Sequence, residues 1–217
     1  MALGGMVASA VVVLPIVYLV IRATEHGSEP VRDTLWRRLT LDLAIRSISL
    51  AAAVTAASLL IGVATAWLVT RTDVPFVRSW RVLVSLPLAV PSYVAAWAWV
   101  GLVPSVKGFL GAFLVLTSVS FPFVHLPVAA ALRRVDPGLE DAARMLGRSP
   151  MTVFVTVTLR QARTAALSGA LLVGLYTLSD FGAVSIMGYQ TLTQAIYRSY
   201  RSSFDRTTGE YWMGDVG

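Results

Sequence analysis

Windows of about twenty apolar residues recur along this chain, and nothing else in it restricts the fold as strongly. Each is long enough to cross roughly 30 Å of hydrocarbon as a helix, the form in which a segment satisfies its own backbone hydrogen bonds. Five such windows are read: Leu3 to Ile21, Ile45 to Val69, Val82 to Val103, Phe109 to Leu132 and Ala165 to Met187. Composition agrees, because 217 residues that are 56% apolar and 14% charged hold too little polar surface to cover a soluble globule. The expectation is an all-α, polytopic membrane bundle of about five helices. Pro15, Pro87, Pro91, Pro122 and Pro127 fall inside the windows and predict kinks, since neighbouring helices can satisfy the freed carbonyls.

The first window is read as a retained span. It lacks a basic leading region and an A-x-A-like cleavage site, and its apolar run exceeds the usual signal core of about 7 to 15 residues. With no cysteine, disulfides and thiolate metal sites are excluded. The net charge of +6 does not point to nucleic acid, because the arginines are scattered between apolar spans instead of gathering with aromatics on one face.

Orientation follows from the basic residues in short loops. Arg71, Arg78 and Arg81 separate the second and third windows; Arg133, Arg134, Arg144, Arg148, Arg160 and Arg163 separate the fourth and fifth. Only Lys107 lies between the third and fourth. This pattern places the N-terminus and the 133–163 loop in the cytoplasm. Asp33 to Asp42, with Trp36 among basic residues, is read as an interfacial helix or as a solvated extension of the second span.

Within the basic loop, Asp136-Pro137 is a helix start and Gly147 a helix stop. Ser149-Pro150 repeats the start signal, so the loop predicts a short helix, a sharp turn and a second helix leading into the fifth span. Helices of two turns are marginal alone. This one needs a surface, either its own bundle or a partner that small alanines let approach closely.

Glu140-Asp141-Ala142-Ala143, Gly147 and Val157-x-Leu159 resemble the EAA loop of membrane permease subunits of ABC importers. Aligned on Gly147, Asp141 stands at the acidic position, Ala142 and Ala143 at the alanines, and Val157 and Leu159 at the apolar pair. Arg160 replaces the family's proline, which predicts a straighter approach to the fifth span. The resemblance implies the type I importer permease fold in a bacterial inner membrane. It also implies that Glu140, Asp141, Ala142, Ala143, Met145, Leu146 and Gly147 form a coupling helix seated on a cytoplasmic ATPase. ATP and Mg would be bound there, with no cofactor on this chain. A P-loop needs Gly-Lys followed by Ser or Thr, whereas the one lysine, Lys107, is followed by Gly108.

The stretch Tyr176 to Tyr197 is similar to permeases of the ferric-iron importer family, a likeness that runs from about the second window to Arg206. It implies iron(III) as cargo, delivered by a periplasmic or lipid-anchored binding protein, and a second permease half, identical or different. Asp180 is the one acidic residue inside a window, where a charge costs roughly 2.5 to 3.5 kcal/mol. Three roles are open to it: lining a cation path together with Tyr176 and Ser179, pairing with Arg46, or capping a broken helix before Gly182. The Asp180-Phe181-Gly182 match to the kinase tripeptide lacks every companion motif and carries no meaning.

Residues 1–206 are expected to form the permease domain and 207–217 a divergent polar tail, short of the sixth span that such domains have. The chain is thus expected to be one half, truncated or split. An ion-coupled transporter or channel is the alternative, but acidic and histidine groups inside the windows are few beyond Asp180 and His125. Enzymatic chemistry is not expected: there is no G-x-S-x-G elbow, H-E-x-x-H or paired catalytic acid. Ser168, Gly169, Ala170 and Gly174 read as small residues for close helix packing.

Overall fold

The structure is a computed structural model and describes residues 13–18, 20–21, 38–134 and 137–199. Most of the Leu3 to Ile21 window, residues 33–37 of the interfacial stretch, the Asp136 cap and everything from residue 200 lie outside the described residues. The chain divides into two units, Met1–Ile45 and Arg46–Gly217. In the first, residues 13–18 and 20–21 are helical.

All regular structure among the described residues is helical. The elements are α1 (Arg38–Arg71), α2 (Val77–Ser85), a 3₁₀ turn (Leu86–Ala89), α3 (Ser92–Leu102), α4 (Gly108–Ser120) and α5 (Pro122–Leu132). They are followed by α6 (Pro137–Met145), α7 (Pro150–Val153), a π turn (Phe154–Thr158), α8 (Leu159–Ser179), α9 (Gly182–Ile186) and α10 (192–199).

Two helical stretches are long and apolar enough to cross a membrane, Arg38–Arg71 and Gly108–Leu132; the pair Val77–Ala89 and Ser92–Leu102 makes a third if counted as one span. The pair is bent by 100°, so the Val82 to Val103 window is a sharply broken element and not a kinked helix. The cause is local: Pro91 forces Val90 out of the helical region, to φ −96° and ψ 116°. The Ala165 to Met187 window is also corrected. Its helix starts earlier, at Leu159 with Arg160 and Arg163 in the first turns, and ends at Ser179; Asp180 is extended at φ −67° and ψ 129°.

In the unit Arg46–Gly217 the core forms where α5 is clasped between α1 and α8. On α1, Leu50, Val54, Ser58, Gly62 and Ala66 recur every four residues and are buried. Gly62 lets α1 meet α5 so closely that a Cβ there would lie 2.6 Å from Val124 Cβ. From the other side, a Cβ on Gly169 of α8 would lie 2.7 Å from Phe123 O and from Val124 Cα. The expected small-residue packing is therefore realised most tightly at Gly169, while Gly174 meets Thr55 Oγ1 at an ordinary 3.4 Å. Two pairs of polar groups meet between the helices: Ser58 and Ser120 Oγ are 3.2 Å apart, and Thr65 Oγ1 lies 3.0 Å from His125 Nδ1. His125 is thus a packing histidine, bonded to the neighbouring helix.

Candidate functional site: the coupling loop and the broken helix

Within the described residues, the basic loop folds as its stop at Gly147 and its second start at Ser149 predict. Gly147 has φ +78°; its N–H donates to Arg144 O at 2.9 Å and Arg148 N–H donates to Ala143 O at 3.3 Å, the paired bonds of a Schellman stop. Ser149 then caps the next helix, its Oγ accepting from Thr152 N at 3.3 Å. The path continues from α7 through the π turn into α8, with no proline to interrupt it at Arg160. A π turn holds one residue more than regular helix and is commonest at functional positions.

The residues expected to form a coupling helix do not form one surface. Glu140 and Ala143, three apart on α6, are buried against the rest of the chain. Asp141 and Ala142 are exposed, as are the apolar side chains of Met145 (90% exposed) and Leu146 (81% exposed), with Leu139 half covered beside them. Nothing lies within 4 Å of where a Gly147 Cβ would be, so its glycine serves the backbone angle and not a tight contact inside the chain.

Glu140 faces two residues that sequence reasoning did not select. Its Oε1 lies 3.1 Å from Arg71 Nη2 and accepts from Thr158 Oγ1 at 2.9 Å. Arg71 is the last residue of α1 and Thr158 the last of the π turn, so one carboxylate ties α6 to both. The ring of Trp67, one turn before Arg71, meets Phe154 edge-on at 5.5 Å. No local pattern marks Arg71 or Thr158, because the pairing depends on residues far apart in the chain.

At the other end of α8, Asp180 Oδ1 accepts from Ala183 N at 2.9 Å and Val184 N at 3.4 Å. Of its three open roles, the geometry gives it the cap. Arg46, the alternative partner for Asp180, is exposed, and its backbone carbonyl accepts from the Tyr189 hydroxyl at 3.3 Å. The carbonyls freed where α8 ends are satisfied in part by Thr193 Oγ1, which donates to Leu178 O at 2.8 Å. A Cβ on Gly182 would stand 2.9 Å from Tyr93 Cβ, so the start of α9 abuts the start of α3 and the two chain breaks meet. Tyr176 faces Ser92 and Asp180 there. Ser179 does not join them; it is exposed, and its Oγ donates to Tyr176 O of its own helix at 2.9 Å.

Among the described residues, an all-helical bundle with one sharply broken membrane segment, a helix that ends at Ser179 before the Asp180 cap, and a short helix in a basic loop defines the class, an integral membrane transport component. Residues 58–208 match the model of the binding-protein-dependent transport system inner membrane component, and the chain belongs to that family, the permease subunits of ABC importers. It is 36% identical over 195 residues to the Fe(3+)-transport system permease protein FbpB 2 of Haemophilus influenzae, covering 90% of this chain and 38% of that relative. It is 28% identical over 200 residues to the sulfate transport system permease protein CysW of Escherichia coli, 85% of this chain and 69% of the other. The molybdate/tungstate transport system permease protein WtpB of Thermococcus kodakarensis is 31% identical over 159 residues, 70% of this chain and 63% of the relative. A solved structure described as the crystal structure of an amino acid ABC transporter with histidines shares the fold, with TM-score 0.57 at 19% identity over 79% of this chain and 80% of that one.

Proposed function

We propose that this chain is a permease half of an ATP-driven importer for ferric iron, its 133–163 loop and N-terminus cytoplasmic. The reading is carried by α6: Leu139, Met145 and Leu146 present an apolar face to the outside while Glu140 fixes the opposite side of the helix to the bundle. A two-turn helix held this way is a rigid knob shaped for a groove in a partner. The partner is a cytoplasmic ATPase that binds ATP and Mg; Asp141, Ala142 and Gly147 border its contact. A periplasmic or lipid-anchored binding protein delivers the cargo, and a second permease half, identical or different, completes the path through the lipid bilayer.

Iron(III) as cargo rests on the likeness to the Haemophilus permease, the relative that this chain matches over the largest share of its length among those described. The path runs past the meeting point of the two chain breaks, where Tyr176 and Ser92 offer oxygen atoms and Asp180 holds α9 in place. The use of Asp180 as a cap counts against the rival ion-coupled transporter, which needs that carboxylate as a relay.

Affinity capture of the tagged chain co-expressed with its ATPase tests the reading. The wild type is expected to retain the ATPase, and Met145→Glu with Leu146→Glu to lose it by tenfold or more, on the order of 1.4 kcal/mol. Undiminished capture by the double variant overturns the docking role.

A further inference from the structure

We propose that Glu140 is a positioning residue, a latch that carries displacement of the coupling helix into α1 and α8 together, and not a contact to the ATPase. The inference rests on the proposed function and goes beyond it by assigning the transmitting group. Three observations meet at this side chain. Its carboxylate is only 10% exposed and turned away from the apolar docking face. It engages Arg71 at the end of α1 and Thr158 at the end of the π turn through the same oxygen, Oε1. A push on α6 therefore reaches two helices at once, one of them through a π turn, an irregularity frequent at functional sites.

The third observation concerns Arg71. Its guanidinium, 19% exposed, holds Nη2 close to the carboxylate, yet Nε and Nη2 are buried without an aligned hydrogen-bond acceptor. Buried donors are normally satisfied, so the Glu140 carboxylate is the group on which this guanidinium depends, and displacement of α6 would disturb the pair.

The chain contains no cysteine, so a single reporter can be placed at Tyr93→Cys, an exposed position where α9 meets α3. In membranes holding the chain with its co-expressed ATPase, the rate of maleimide labelling at this reporter is compared with and without ATP. The reporter background is expected to show an ATP-dependent change in rate. Glu140→Gln is expected to keep the ATPase bound but to lose at least about fivefold of that change. Arg71→Gln is expected to match it, with the double variant no worse than either single one. Thr158→Val removes only the hydroxyl, and a smaller loss, with the ATPase retained, is expected of it. If Glu140→Gln leaves the ATP response intact, the latch is overturned; if it releases the ATPase, as is expected of the Met145→Glu, Leu146→Glu double variant, Glu140 is a docking residue and the latch is equally overturned. A reporter background that binds the ATPase yet never responds to ATP overturns the proposed function, and the latch with it.

Discussion

Gly169 shows how a single position sets a helix crossing. Its missing side chain lets α8 lie against the backbone of α5 at Phe123 and Val124, where even a methyl group would stand 2.7 Å from main-chain atoms that cannot step aside. Gly169→Ala is therefore expected to cost about 1 to 3 kcal/mol of stability. Gly174→Ala, whose nearest neighbour would be the Thr55 hydroxyl at 3.4 Å, should cost less despite lying on the same helix. Thermal unfolding in detergent distinguishes them; equal midpoints would mean that α5 and α8 are not in close contact. Both glycines are recognisable in the sequence as small residues in an apolar helix, but which of them touches a neighbour is not, because helix periodicity alone does not reveal the depth of a crossing. Glu140 and Ala143 illustrate the same limit. The acidic-Ala-Ala-Gly pattern marks the helix, whereas the face turned inward depends on Arg71, which no local rule brings near.

Among the elements, the broken ones matter most. Start and stop signals predicted the loop well: Gly147 and Ser149 sit at the stop and the cap that their chemistry suggests. The proline-rich third window announced kinks but not a 100° bend, since a proline permits a range of angles and tertiary packing chooses among them. At α9 the sequence offered a cap as one role for Asp180 among three, and the hydrogen bonds select it. If capping is the whole role, Asp180→Asn keeps an acceptor oxygen in the same place and retains uptake. Asp180→Ala loses the cap at a cost of about 1 kcal/mol and impairs uptake, because α9 no longer holds its position against α3. Uptake of radiolabelled ferric iron by cells carrying each variant checks this; loss of uptake with Asn equal to that with Ala would show that the charge itself is required.

At the scale of the molecule, α1 and α8 grip α5, the chain breaks at α3 and α9 meet, and Glu140 ties α6 to the end of α1. The family is shared with permeases named for ferric iron, sulfate and molybdate or tungstate, so the frame fits several cargoes and the fold does not choose among them. What hydropathy revealed was the membrane character and the position of the loop, both fixed by local composition. What it concealed was how far each window is interrupted, because a helix that ends inside the bundle has the same apolar residues as one that crosses. The central claim is that the outer face of α6 seats on an ATPase. Since the chain has no cysteine, Met145→Cys gives a unique thiol at the most exposed point of that face. The decisive measurement is disulfide or short-linker cross-linking of that thiol to single cysteines in the co-expressed ATPase, with cysteine at the buried core position Ala162 as the control. A cross-linked species at 145 whose yield changes with ATP, and none at 162, is the result predicted here; no cross-link at 145 in membranes that sustain ATP-driven uptake would contradict it.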